Sequence, residues 1–271
     1  MIKKASVYPL RMSRRPKTHH GVRDLSIREK AYLYIQQLVA RGTLPAGSGI
    51  SELLLAKELG SSRTPIREAM NQLAAEGLLS QSPGGGMVVA QLSREDIIEL
   101  YELREALEVY AVGKIARVPM RPADKDRLQR LVDEILVLQK ELEKAKATEL
   151  NEKQMERFID CDLGFHALLM SLTYNSRLQK IISDTRLLIS IFAIHRGGHD
   201  RDSLKSIHEH HQRILDAVVQ QKSEAGMMAI VEHIQVSQRE RLNAYDDWKR
   251  ETALRQNVPA FFDIHKMTPK V

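Results

Sequence analysis

Four residues in the second half of this 271-residue chain have the types and spacing of a metal cage. Asp162 and His166 are four apart, which on a helix stacks them on one face. Phe158, Phe165 and Leu169 share that face, so the pair points inward rather than to water. His211 lies on a stripe with Ile207, Ile214, Leu215 and Val218, and His233 on one with Ile230, Ile234 and Ser237. Three imidazoles and a carboxylate on core-facing stripes of three helices suit a divalent transition metal. Any one of these histidines alone reads as an ordinary hydrogen-bonded core or surface residue. The convergence of all four is what points to a site. His208, on a face adjoining that of His211, is the alternative ligand on its helix. His19, His20, His195, His199 and His265 fall in predicted loops or tails and read as solvated. Cys161 adjoins Asp162 and reads as a small apolar filler.

A second stretch carries different chemistry. In Ser61 to Glu76, Ser62 is a plausible N-cap and Pro65 falls in the first turn, where a missing N–H costs little. Ile66, Ala69, Met70 and Leu73 recur at helical spacing and would bury one face. Arg63, Thr64 and Arg67 lie on the other, near the positive end of the helix, and offer two guanidiniums and a hydroxyl to base edges and phosphates. Taken alone, an amphipathic surface helix with two solvated arginines reads as well.

The elements around these residues decide between the readings. Ser51 to Gly60 is a short helix set one or two residues before the arginine-bearing one, a helix-turn-helix spacing. Ser26-Ile-Arg-Glu29 is a capping-box pattern that opens a helix running to about Arg41. Leu78 to Gln81 and Met87 to Ala90 are short apolar strands around Ser82-Pro83-Gly84-Gly85-Gly86, which makes a hairpin or wing. Together these predict a winged helix-turn-helix with its third helix in the DNA major groove.

From Ser93 to about Arg255 the pattern is helix after helix. Ser93 and Asp96 open a helix to about Arg117, and Pro119 and Pro122 break the chain. Further helices are predicted over about 123–148, 152–172, 177–194, 203–221 and 223–251. The fold class is mainly α, a winged helix-turn-helix followed by an antiparallel bundle of six or seven helices. The expected division is a disordered basic arm over 1–21, a DNA-binding domain over 22–92, an all-helical domain over 93–255, and a tail over 256–271. Charge follows the same division: residues 1–93 hold 13 Lys/Arg against 6 Asp/Glu, and residues 94–271 hold 28 against 29. Six of those cations lie in the arm, so the arginines of the winged domain must act by placement rather than bulk charge. A single cysteine excludes an internal disulfide framework and fits a reducing cytoplasm. No apolar run approaches the roughly 20 residues of a membrane span, and the basic N-terminus lacks the apolar core of a secretory signal.

Residues 26–90 resemble the DNA-binding domain of the GntR family of bacterial transcription regulators. The run Ser62-Arg63-Thr64-Pro65-Ile66-Arg67-Glu68-Ala69 carries most of the likeness, with Gly47, Ile50 to Glu52, Leu55-Ala56, Leu59-Gly60, Leu73, Glu76 to Leu78 and Gly86. The resemblance implies that Ser62, Arg63, Thr64, Arg67 and Gly86 form the surface that meets operator DNA. Two places depart from the family pattern: Leu53 stands where some relatives have arginine, and Gly84 and Gly85 where many have a basic residue or histidine. Asp162 to His166 followed by Asn175, then His211 to Ala217, then His233-Ile234, resemble the effector (FCD) domain of the FadR subgroup. There the likeness implies a bound metal, zinc first with nickel or manganese as alternatives, held by Asp162, His166, His211 and His233. It also implies a small carboxylate effector received at the metal's open positions, with Arg104 and Asn175 in its pocket. Arg104 and Glu108 could instead simply pair with each other. The resulting expectation is a homodimeric, effector-responsive regulator of operator DNA, most often a repressor, with no membrane association and no enzyme activity. Two rivals are a sensor for which the ion itself is the effector and an all-helical metalloenzyme, though no general base or nucleophile motif stands beside the ligands.

Overall fold

The computed structural model describes residues 25–193 and 199–256. The basic arm, His19, His20, His195, His265 and all of the tail beyond Gln256 lie outside these residues.

Ser26 and Glu29 close the expected capping box, with Ser26 N–H donating to Glu29 Oε2 at 2.8 Å and Glu29 N–H to Ser26 Oγ at 3.2 Å. They start α1 (Ile27–Ala40), which buries Ala31, Ile35 and Val39. Ser51 Oγ accepts the Leu54 N–H to start α2 (Glu52–Glu58), and the chain then turns through Gly60 into α3 (Arg63–Ala75). Ser62 stands at the N-cap of α3, but its side chain makes no capping hydrogen bond, contrary to expectation. The reason lies in the sequence: Pro65 is the third residue of the helix and has no N–H for the serine to accept. Ile66, Ala69, Met70 and Leu73 are buried, so the apolar stripe of α3 does face the core.

The wing forms as predicted from β2 (Leu79–Gln81) and β3 (Met87–Val89), paired antiparallel with Leu79 opposite Val89 and Gln81 opposite Met87. An unforeseen strand, β1 (Gly49–Ile50), pairs with the other edge of β3, so the sheet order is β1-β3-β2. Two residues in a glycine-rich run carry no alternation that a sequence pattern could reveal. Just before it, Gly47 adopts φ +77°, and a Cβ there would meet the Gln91 side chain at 2.4 Å.

The helical body comprises α4 (Arg94–Ile115), α5 (Pro122–Ala145), α6 (Glu152–Ser171), α7 (Ser176–Ala193), α8 (Arg201–Val219) and α9 (Ser223–Gln256). Ser93 and Asp96 form a second capping box at α4, and Pro122 becomes the first residue of α5, where its fixed φ suits a helix start. α4 packs on α9 and α7, α5 on α6 and α8, and α8 on α9. Their shared core includes Tyr101, Val112, Leu128, Phe165, Leu169, Ile214 and Ile230. No helix among the described residues is long and apolar enough to cross a membrane.

α7 touches both halves of the protein. Leu187 and Leu188 pack against the winged domain's core. Lys180 Nζ donates to Glu76 Oε1 at 3.0 Å, and Tyr32 OH donates to Glu76 Oε2 at 2.6 Å. α1, α3 and α7 are therefore tied around one carboxylate.

Leu73 is fully buried in the winged core. Leu73→Ala is expected to cost about 2–5 kcal/mol of that domain's stability. Urea unfolding of the full chain followed by circular dichroism checks this, as an earlier transition in the variant.

Candidate metal centre and nucleic-acid interface

The apolar stripes of α6, α8 and α9 deliver three histidines to one buried point. His166 sits among Phe158, Cys161, Phe165 and Leu169 on α6, His211 beside Ile214 and Leu215 on α8, and His233 beside Ile230 and Ile234 on α9. Each offers one nitrogen, and these nitrogens all lie within 4.8 Å of one another. His166 Nε2 and His211 Nε2 are 3.3 Å apart, and Asp162 Oδ1 is 3.5 Å from His211 Nε2. A tetrahedron with arms of about 2.0–2.1 Å has edges of about 3.3–3.4 Å, so both separations match neighbouring ligands around zinc. His208 is half-buried and offers no atom to the cluster, so His211 is the α8 member.

Asp162 stands outside this three-histidine group and approaches it only at His211. Its Oδ2 accepts from Arg186 Nη2 at 2.7 Å, leaving Oδ1 toward His211. Cys161 donates to the Phe158 carbonyl, and burial pushes its thiol up to about 12, so it stays a protonated filler.

A buried carboxylate orients the cluster. Glu108 Oε2 lies 2.8 Å from His166 Nδ1, and Oε1 accepts from Arg104 Nε at 2.8 Å. Pairing Nδ1–H with this carboxylate leaves the Nε2 lone pair of His166 facing the other imidazoles, a tautomer assigned from the hydrogen-bond network. Burial alone would raise the Glu108 carboxyl, but Arg104, His166 and Arg186 outweigh it and hold it well below the usual range. Burial would also raise Asp162, and Arg186 above all holds it down. Burial depresses His166, His211 and His233, which stay neutral at pH 7. Neutral imidazoles, an ionised carboxylate and an oriented outer shell are what a divalent cation requires, so these residues fit one.

Asp162, though none of the three histidines, lines a cavity of about 570 Å³ together with residues that include Tyr101, Arg104, Arg186, His199 and Arg241. Arg104 and Arg186 are buried, yet Arg104 Nη2 and Arg186 Nε and Nη1 have no hydrogen-bond partner among the described residues; neither has Arg241 Nε. Arg104 thus combines both sequence readings, pairing with Glu108 through Nε and standing in the cavity's wall.

Asn175 is a correction. It is exposed, away from the cavity's lining, and its Oδ1 accepts the Leu178 N–H to cap α7. An Asx residue before a helix is first a cap. His199, expected to be solvated, lines the cavity with its ring 4.2 Å from that of Phe158, and burial pushes it down to about 4. The sequence reading missed Arg186 and Arg241. Arg186 had a signal, since it falls on the apolar stripe of Ile182 and Ile189, where a lone cation needs a reason.

On the winged domain, Arg63, Thr64, Arg67 and Ser62 are exposed at the start of α3. Arg63, Arg67 and Gly86 border one shallow depression between α3 and the wing. Glu52 holds both guanidiniums, with Arg67 Nε donating to Oε1 at 2.9 Å and Arg63 Nη2 to Oε2 at 3.0 Å. The hydrogen bond from Arg67 leads in lowering Glu52 to about 2. Gly85 and Gly86, at φ +83° and +88°, make the wing tip a turn that residues with a Cβ disfavour.

Comparison with known proteins agrees with this architecture. Residues 27–89 match the family described as bacterial regulatory proteins, gntR family, and residues 99–236 match the FCD domain. An uncharacterised HTH-type transcriptional regulator of Bacillus subtilis (strain 168), YdhC, is 29% identical over 204 residues, 74% of this chain and 85% of that protein. The gluconate operon transcriptional repressor of the same organism is 26% identical over 182 residues, 67% of this chain and 68% of that protein. Among solved structures, E. coli McbR/YncC superposes with a TM-score of 0.68 at 21% identity, covering 82% of this chain and all of that one.

The buried histidines set a pH dependence. Their folded values lie below the ordinary 6.5, so below that pH the unfolded chain binds more protons than the folded one. This contribution is present above 6.5 and is lost as pH falls through it, at up to about 1.4 kcal/mol per pH unit for each histidine. In chelator-treated protein the urea midpoint should fall between pH 7.5 and 5.5, and His166→Asn/His211→Asn/His233→Asn should flatten that fall. A midpoint constant over this range contradicts a buried neutral cluster.

Proposed function

This chain belongs to the GntR family of bacterial regulatory proteins and carries an FCD domain, and from that premise we propose that it is a repressor whose operator affinity is controlled by a small carboxylate effector bound at a metal site in the helical domain. Its family is one of DNA-binding transcription regulators, not enzymes. The reading as a repressor draws on the relative named for repression of the gluconate operon.

In this account Arg63 and Arg67 leave Glu52 for operator bases and phosphates, with Thr64 and the backbone at Ser62 and Gly86 supporting them. Two copies in the cytoplasm, joined through their helical domains, read the half-sites of a near-palindromic operator. His166, His211, His233 and Asp162 hold a divalent ion, zinc by ligand type, with nickel or manganese as alternatives. When bound, the ion supplies a Lewis-acidic position for an oxygen anion. Arg104 receives the effector's carboxylate through Nη2. Arg186 belongs to α7, the helix that also packs on α1, so a change at the cavity reaches the winged domain through one rigid element.

The observation that carries this reading is the pairing of three buried neutral imidazoles with buried guanidiniums whose donors are unsatisfied at a cavity wall. An ion-only sensor has no use for those donors, which favours an organic effector.

Arg63→Ala should weaken binding to the operator, selected from random DNA by the wild-type protein, at least tenfold by fluorescence anisotropy. Unchanged affinity would sink the α3 assignment. His233→Ala should lower the bound metal found by elemental analysis to well under one ion per chain, and should abolish the effector's influence on DNA while leaving unliganded DNA binding intact.

A further inference from the structure

Leu53 is 66% exposed, and its place rather than its exposure calls for a reason, since single leucines on a surface are ordinary. It stands in the wall of the depression between α3 and the wing, together with Glu52, Arg63, Arg67 and Asn71. Arg63, Arg67 and Asn71 follow one another at intervals of four, so one face of α3 looks into that depression. Glu52 Oε2 accepts from Arg63 Nη2 at 3.0 Å and from Arg67 Nη2 at 2.9 Å. Leu53 is the next residue, with its Cα about 3.8 Å from that of Glu52. A large apolar side chain thus sits in water beside the two cations, on the surface turned toward operator DNA in the account above. Leu54 is exposed as well, but it has no part in this wall.

What such a side chain can gain in a major groove is limited. Phosphates, purine N7, guanine O6, thymine O4 and the amino groups of adenine and cytosine are polar, and a leucine laid against them costs them their water. The C5-methyl of thymine is the apolar group that a base edge offers there. Cytosine presents a C–H at the same place, and a purine turns its N7 acceptor outward. Bases along one strand are about 3.4 Å apart, close to the spacing of neighbouring Cα atoms. The methyl that Leu53 meets therefore lies within a step or two of a base that Arg63 or Arg67 reads.

We propose that Leu53 is a specificity-determining residue that reads a thymine in each half-site by packing on its methyl group. This rests on the reading of α3 as the helix that meets operator DNA, and adds the base required beside those the arginines contact.

The test uses the full-length protein and an operator selected from random DNA by the wild-type chain, with each thymine replaced in turn by deoxyuridine. That replacement deletes the methyl and keeps the base pair. At one thymine of each half-site, wild-type binding by fluorescence anisotropy should weaken about three- to fivefold, the worth of one buried methyl. Leu53→Ala should weaken binding to the thymine operator by at least as much and lose the difference between thymine and deoxyuridine at that position, as a direct contact requires. Leu53→Met, which keeps an apolar tip, should retain part of the difference, and Leu54→Ala all of it. The melting temperature should stay at the wild-type value in all three variants. If no deoxyuridine weakens binding, or if Leu53→Ala keeps the full difference, the proposal is overturned, while a tenfold loss in Arg63→Ala leaves the α3 reading standing. Loss of the difference in Leu54→Ala as well also overturns it. If Arg63→Ala binds as tightly as wild type, the α3 reading falls and this one falls with it.

Discussion

Glu108 is buried with no exposed surface, and the helical domain is arranged around that fact. An ionised carboxylate in a protein interior is tolerated only when every lone pair is answered. Here Arg104 answers from one turn away on the same helix, His166 from α6, and Arg186 from α7 at 3.5 Å. One side chain thus ties three helices and fixes the orientation of a candidate metal ligand. Its charge answers that of Arg104 directly and, with Asp162, that of Arg186, two buried guanidiniums in the cavity's wall.

α7 is where this polar knot meets the rest of the molecule. Arg186 faces Asp162 and the cavity, while the neighbouring Leu187 and Leu188 pack against the core of the winged domain. One turn and a half earlier, Lys180 holds Glu76 at the end of α3, and Glu76 in turn holds Tyr32 of α1. Helices move as rigid pieces, so any change that draws Arg186 away from Asp162 has a direct route to α1 and α3. The route is made of packing and paired charges rather than of any single contact.

At the other end, Glu52 plays toward Arg63 and Arg67 the part that Glu108 plays toward Arg104. These guanidiniums are exposed, however, so the pairing fixes their direction at little energetic cost and yields readily to phosphate. The same chemistry is therefore structural where water is excluded and exchangeable where it is not.

Local patterns were enough to read the amphipathic helices, the capping boxes of α1 and α4 and the wing: a face repeats every three or four residues, and a serine reaches an N–H three residues on. For the same reason the stripes of His166, His211 and His233 were legible as inward-facing. Local rules failed where a neighbour altered them, as when Pro65 removed the donor Ser62 needed, and where a strand was too short to alternate, as at Gly49 and Ile50. Which inward-facing residues meet is a question of helix crossing and register that no sequence spacing encodes. Tertiary packing alone brought Glu108 against His166 across 58 positions, set Arg186 and Arg241 at the cavity, drew His199 in from its loop and left Asn175 outside as a cap.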